Sequence, residues 1–404
     1  MPNEPQISRR AVLQAAALGA SGLVLEACLP GPTTSPIGST GTPSGAPGGS
    51  PSASTEPSAT VSPIPIRQRI ARLLVVGFRG LRVEATDWIA GNIAIDGLGG
   101  VILFDKDRVQ STRNIRNQRQ VTRLISDLKA LAPARELIVA IDQEGGKVTR
   151  LSPAYGFPAL ESEASIGPKG DAAVQAWADG LTATLAEVGV NLNLAPVVDI
   201  NVNPKNPAIG ALGRSFSADP AVVSRDAEIE IQAHRDRAIK TALKHFPGLG
   251  SARANTDFGV ADVTTTWTRQ ELDPYMDLLG EGLVDVVMAA HVVNGQIDPS
   301  APASLSRGTV TDLLRDELGW EGPVITDDLQ TGAIADAFGA EDAVALALDA
   351  GDDLLLFANQ QVYDPDIVTR VVDLIEGFVT SGRINEARID RSYARVTGAF
   401  PDLA

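Results

Sequence analysis

Cysteine occurs once in these 404 residues, at Cys28. No internal disulfide can form, and no cysteine-built zinc cluster. Histidine is scarce too: His234, His245 and His291 are all there are, which argues against a multi-histidine metal centre. Basic charge is in deficit, with 34 Lys+Arg against 50 Asp+Glu and a formal net charge of −16. A chain this acidic suits nucleic acid poorly, because phosphates require a basic face. Long apolar runs are missing except for Ala11 to Leu25, which is too short and alanine-rich to hold a chain across a bilayer well. With 44% hydrophobic and 21% charged residues, a wholly disordered, collagenous or coiled-coil chain is excluded.

Three zones follow one another. Ser8-Arg9-Arg10 stands just before the apolar run, which ends at Leu25-Glu26-Ala27-Cys28. A twin arginine ahead of a short apolar segment resembles a Tat signal peptide. A small residue followed by cysteine resembles a bacterial lipobox, which would lipidate Cys28 and make it the new N-terminus. Residues 1–27 are thus predicted to be a signal peptide. Residues 28–65 are rich in Pro, Ser, Thr and Gly, and Glu56 is their only charge. Such a segment buries too little apolar surface to offset its chain entropy and reads as a tether. An exported protein, anchored by lipid on the extracytoplasmic face of the membrane, is expected.

Residues 66–404 form the folded part. Short apolar runs at Arg72–Gly77, Gly100–Phe104, Leu137–Ile141, Asn191–Ala195, Ala238–Leu243, Asp285–Ala290, Pro323–Thr326 and Asp353–Phe357 read as strands. Their continuous Val, Ile and Leu suit strands buried on both faces. Helix patterns lie between, Asp171–Val188 and Ala343–Ala350 among them. Eight strands alternating with helices is the tally of a single α/β (β/α)₈ TIM-type barrel. A doubly wound open sheet is the alternative, but no Gly-rich dinucleotide fingerprint follows the first strand.

Polar residues gather where five of these strands end. Asp142-Gln143-Glu144, Asp199, Lys244-His245, His291 and Asp327-Asp328 all sit there, the end at which a barrel of this kind carries its chemistry. One such aspartate is readily a helix cap; five strand ends favour a shared site. Carboxylates set among Lys, His and Arg214 suit a polyhydroxylated ligand, and a carboxylate can attack or stabilise an oxocarbenium centre. There is no phosphate loop, nucleophile elbow or metal-ligand spacing.

Asp142-Gln143-Glu144-Gly145-Gly146-Lys147-Val148-Thr149-Arg150 resembles the DQEGG(R/K)VxR segment of glycoside hydrolase family 3, in its NagZ-type β-N-acetylglucosaminidase branch. Gly213-Arg214-Ser215-Phe216-Ser217-Ala218-Asp219-Pro220, Lys244-His245-Phe246-Pro247-Gly248, Met288-Ala289-Ala290-His291-Val292 and Thr326-Asp327-Asp328-Leu329 match further motifs of that branch, in the same order. The resemblance implies a retaining glycosidase that removes terminal β-N-acetylglucosamine from cell-wall or muropeptide glycans. It implies Asp327 as the nucleophile of a covalent intermediate. It places Asp142, Arg150, Arg214, Lys244 and His245 around the sugar, with His291 lining the substrate or supporting the site. No cofactor or metal is implied; the partners are the carbohydrate and, through Cys28, the membrane.

One loop departs from the branch pattern. After KHFPG that pattern reads GHGxxxxDSH, whose Asp–His pair supplies the acid/base. Here Leu249 follows, and the loop to Gly259 holds no histidine. His234 precedes the strand and is expected on a helix surface. Asp257 is the candidate acid/base, Glu144 an alternative, and lost hydrolysis a third outcome. The rival readings are a β-glucosidase specificity and a lipid-anchored sugar-binding protein. The location reading is testable: the protein should enter the detergent phase and incorporate palmitate, and Cys28→Ala should release it to the aqueous phase. Unchanged partitioning of that variant contradicts lipidation.

Overall fold

The computed structural model describes residues 64–108 and 111–403. Residues 1–63, where a signal peptide, a lipidated Cys28 and a tether are expected, lie outside the described residues. Eight strands make one sheet: β1 Leu74–Gly77, β2 Gly100–Leu103, β3 Ile138–Ile141, β4 Leu192–Asn193, β5 Lys240–Phe246, β6 Val286–Ala289, β7 Val324–Thr326 and β8 Leu355–Phe357. Each overlaps a run marked as a strand by its sequence. All pairings are parallel; β1 to β7 follow one another in chain order, and β8 returns to pair with β1. A bridge between Ile325 and Leu354 closes the ring, with the Thr326 amide donating to the Leu354 carbonyl at 3.0 Å. That contact between the last two strands makes a barrel of what would otherwise be an open sheet.

Every residue of β1, β2 and β3 is buried, as expected for parallel strands covered on both faces. The helix Asp171–Val188 has the bounds its apolar period predicts. Val174, Trp177, Ala178, Leu181, Leu185 and Val188 are buried along it, the three-and-four spacing of one helical stripe. Gly189, at φ +92°, ends it in the left-handed cap that glycine adopts without strain.

β4 is shorter than its sequence run because side-chain amides take over the ladder. Asn191 Oδ1 accepts from the Val139 amide at 2.7 Å, and Asn193 Oδ1 from the Gln143 amide at 3.0 Å. Asn193 Nδ2 donates to the Gln143 carbonyl at 2.9 Å and also lies 3.0 Å from His234 Nε2. His234 is therefore not the surface residue its position suggested. It is fully buried on the inner face of the helix Pro220–Arg235, its Nδ1 2.8 Å from the Glu230 carbonyl. Burial lowers its pKa to about 4, which keeps the ring neutral.

The closing seam rests on Asp353, which is buried just before β8. It accepts from Arg315 Nη2 at 2.6 Å, from Ser392 Oγ at 2.6 Å and from the Val324 amide at 3.1 Å. Asp353→Ala strands Arg315 without its carboxylate, and a loss of about 3–5 kcal/mol is expected in chemical denaturation. Asp373→Ala, which removes an exposed partner of Arg67, should leave the midpoint near that of the parent.

Candidate active site

The C-terminal ends of the strands surround a cavity of about 650 Å³ whose walls include Asp142, Glu144, Arg150, Arg214, Lys244, His245, Asp257 and Asp327. That size suits a small ligand. Lys244 and His245 are neighbours in β5, and regular strand geometry would turn them to opposite faces. The register of β5 against β6 shifts between Lys244 and Phe246, and His245 takes a φ of +139°. Its amide donates to the Tyr275 hydroxyl at 3.1 Å. This bulge re-aims a side chain, so both residues reach the one cavity.

Buried ion pairs tie these groups together. Glu144 accepts from Arg214 through both oxygens, at 2.6 and 2.7 Å, and lies 2.6 Å from Lys244 Nζ. Lys244 also donates to Asp142 at 2.8 Å, and Arg150 reaches Asp142 at 3.2 Å. Burial alone would raise the Glu144 pKa; the Arg214 and Lys244 charges outweigh it and bring it to about 2. Asp142 is lowered in the same way, burial being overcome by Lys244 and Arg150. Held as carboxylate by two cations, Glu144 is poorly suited to give a proton, which favours Asp257 over it as the acid/base candidate. The role of Glu144 is to fix the two cations.

His245 is held from both sides. Arg214 Nη2 stands 3.2 Å from its Nε2, and Asp199 Oδ2 2.6 Å from its Nδ1. Burial and the Arg214 and Lys244 charges depress its pKa well below the ordinary value. Arg214 can only donate, so Nε2 accepts and the proton lies on Nδ1, facing Asp199.

Asp327 lies at the end of β7, where its Oδ1 accepts from the Asp328 amide at 2.8 Å. Among the described residues, no lysine or arginine forms an ion pair with Asp327. Lys244, Arg150 and Arg214 pair with Asp142 and Glu144 instead, because Glu144 has no water to solvate it and the partly buried Asp142 has little. Asp328 also borders the cavity, but its Oδ1 accepts from the Ala358 and Gln330 amides at 2.9 and 3.2 Å, linking β7 to the chain after β8. Burial lifts its pKa to about 7. His291 is not on the cavity wall, contrary to the substrate-lining expectation. Its ring is buried, with Nδ1 2.6 Å from Ser304 Oγ and Nε2 2.9 Å from the Asp328 carbonyl.

Asp257 reaches the cavity from the loop after β5. Leu249, in the place of the branch's histidine, is buried there, and its amide donates to Asp199 Oδ1 at 2.6 Å. A Cβ on Gly250 would meet the Ile200 carbonyl oxygen at 1.8 Å, so only glycine lets the loop lie this close. Asp257 keeps contact with solvent, yet the surrounding wall desolvates it and, with the Asp327 charge, raises its pKa. Asp105, Lys106, Asp107, Arg108, Gln360 and Gln361 also line the cavity and were not picked out by sequence. The charged run directly after the β2 stretch was a signal of the same kind as the five that were. Among the described residues, no group of three or more His, Cys, Asp or Glu side chains is arranged to hold a metal ion.

The family model "Glycosyl hydrolase family 3 N terminal domain" matches residues 65–399. The chain belongs to glycosyl hydrolase family 3. It is 31% identical to β-hexosaminidase LpqI of Mycobacterium tuberculosis, over 94% of this chain and 95% of that protein. It is also 31% identical to β-hexosaminidase A of Pseudoalteromonas piscicida, over 74% of this chain, but it spans only about half of that longer relative, 52%. A family 3 β-N-acetylglucosaminidase structure from Paenibacillus superposes with a TM-score of 0.76 and 33% identity, covering 84% of this chain and 63% of that one. The family's barrel and the one described above are thus the same fold.

The Glu144 pairs give this family 3 barrel an acid limit. The folded-state pKa of Glu144, about 2, lies below its ordinary 4.5. The stability it contributes is complete above 4.5 and is lost as pH falls toward 2. Glu144→Gln should cost about 3 kcal/mol at neutral pH in urea unfolding, and the gap from the parent should narrow in acid. A gap independent of pH contradicts this reading.

Proposed function

We propose that this family 3 protein is a retaining glycosidase that releases terminal β-linked N-acetylglucosamine, or a related hexosamine, from cell-wall or muropeptide glycans. The observation that carries the reading is the cavity itself. A fixed set of charged hydrogen-bonding groups on its floor faces two carboxylates, Asp327 and Asp257, outside the ion-paired network. The names of the relatives agree with it.

In this mechanism Asp142, Arg150, Lys244 and His245 hold the sugar hydroxyls, and Arg214 steadies His245. An Asp327 oxygen attacks the anomeric carbon. The glycosidic C–O bond breaks as the leaving oxygen takes the proton of Asp257, which its raised pKa helps it retain. A covalent glycosyl ester on Asp327 results. Water then attacks the anomeric carbon, gives its proton to Asp257, and frees the Asp327 carboxylate. His291 supports the chain that carries Asp327 and Asp328. The lipid anchor at Cys28 and the 28–65 tether would hold this barrel on the outer face of the membrane, within reach of wall fragments.

Asp327→Asn should lower turnover by at least about 10³-fold and abolish trapping by a fluorinated substrate. Asp328→Asn, which keeps an acceptor for the Ala358 amide, should lower it less. Asp257→Ala should hardly slow glycosylation from nitrophenyl glycosides, yet slow it about 10²–10⁴-fold on disaccharides, whose leaving group needs the proton. Azide should rescue its second step. In the parent, glycosylation falls as pH rises through the raised Asp257 pKa, and this limb should vanish in Asp257→Ala. Equal losses on both substrate types, without azide rescue, would move the acid/base elsewhere. Activity on the glucoside above the N-acetylglucosaminide would favour the β-glucosidase reading, and inactivity of the parent on both the sugar-binding one.

A further inference from the structure

Beside the catalytic cavity, between the segments that follow β1 and β2, lies a second depression of about 670 Å³. Arg79, Arg82, Arg113, Arg116, Glu84 and Asp87 line it. Four guanidinium groups against two carboxylates is an unusual balance in a chain whose net charge is −16.

The local acids do not neutralise this set. Arg79 reaches Asp107 at 3.4 Å and stacks 4.2 Å from the centre of the Tyr363 ring. Arg82 pairs with Glu84 at 3.0 Å, with both side chains more than half exposed, a geometry that water and salt weaken. Asp87 accepts from the Glu84 amide at 2.8 Å. The Arg116 guanidinium has no ion pair among the described residues, and its side chain is exposed.

Arg113 is the independent observation. It is 1% exposed, with Nε donating to the Phe78 carbonyl at 2.8 Å and Nη2 to the Ala358 carbonyl at 2.6 Å. Both partners are neutral, and the buried Nη1 has no hydrogen-bond partner. Burial and the neighbouring Arg79 charge lower its pKa to about 10, which still leaves it a cation at neutral pH. Its direct acceptors are neutral, and the Asp107 and Asp328 charges act on it without an ion pair among the described residues, so this buried cation is short of counter-charge.

We propose that this depression is an anion site, distinct from the catalytic cavity, that takes a phosphate or carboxylate group on the guanidinium forks of Arg79, Arg82 and Arg116 above Arg113. Planar guanidinium groups match two-oxygen anions bidentately. Asp107 and Ala358, which hold Arg79 and Arg113, also belong to the catalytic cavity wall. An anion here therefore sits on the far side of that wall. The shared chemistry is a polyanion's oxyanion group, whether from a phosphodiester polymer or from a carboxylated glycan.

The full-length protein in detergent is titrated calorimetrically with inorganic phosphate, tripolyphosphate and citrate. Saturable one-to-one binding of at least one is expected, weakening as salt rises. Stronger tripolyphosphate binding indicates a phosphate source and stronger citrate binding a carboxylate source. Arg82→Gln/Arg116→Gln, two exposed positions outside the catalytic machinery, should weaken binding at least about tenfold. It should leave hydrolysis of a nitrophenyl N-acetylglucosaminide unchanged. Failure of all three anions to saturate overturns the proposal, as does undiminished binding in the double variant or competition between the anion and the sugar substrate. The binding arms need no turnover, so they stand or fall apart from the glycosidase reading.

Discussion

Glu144 has no contact with solvent, and two cations close on it. Arg214 comes from the chain after β4, Lys244 from β5, and Glu144 itself from the strand that extends β3. Asp142 adds a second carboxylate to Lys244, and Arg150 pairs with Asp142 in turn. A buried charge of this kind tolerates no missing partner, because the one left behind has neither water nor counter-ion. The whole set must therefore form together or not at all. Three separate segments are fixed at the mouth of the barrel by that requirement.

The same pairing divides the labour of the site. The floor is electrostatically saturated, so its groups hold their charge states over a wide pH range and suit positioning rather than proton transfer. His245 shares in this: burial and the Arg214 and Lys244 charges keep it neutral, and Arg214 and Asp199 fix one tautomer. Asp327 and Asp257 stand outside the pairs, one on a barrel strand end and one on a glycine-dependent loop. Under the proposed reaction, a fixed carboxylate beside a partly solvated one with a raised pKa is the asymmetry that glycoside hydrolysis requires of its two acids.

The loop from Leu249 to Gly259 holds no histidine, so the Asp–His pair of the branch pattern is not complete here. Leu249 stands at the pattern's first histidine, and its amide caps the Asp199 carboxylate that orients His245. The loop is thus tied to the charged floor of the cavity through its backbone. Its one proton-carrying side chain, Asp257, depends on the cavity wall and on the Asp327 charge for its perturbation.

The barrel was legible in the sequence because parallel strands buried on both faces must be apolar throughout, and eight such runs alternate with helix periods. So were Asp142, Lys244, His245 and Asp327 as members of one cavity, because a strand's C-terminal end places its next polar residue at the mouth; Arg150, Arg214 and Asp257 were legible only through the resemblance to the family's motifs. The tertiary structure alone decided who pairs with whom. Glu144 became a clamp and not an acid because Arg214, 70 residues away in sequence, folds against it. His234 and His291 became buried supports because the Asn193 side-chain amide and the Asp328 carbonyl give their rings hydrogen-bond partners. Lys244 and His245 share a face through a shift of register that no alternation rule foretells. Pattern along a chain records which side a residue faces; the partners of a desolvated charge are set by contacts between distant segments, and those exist only in the fold.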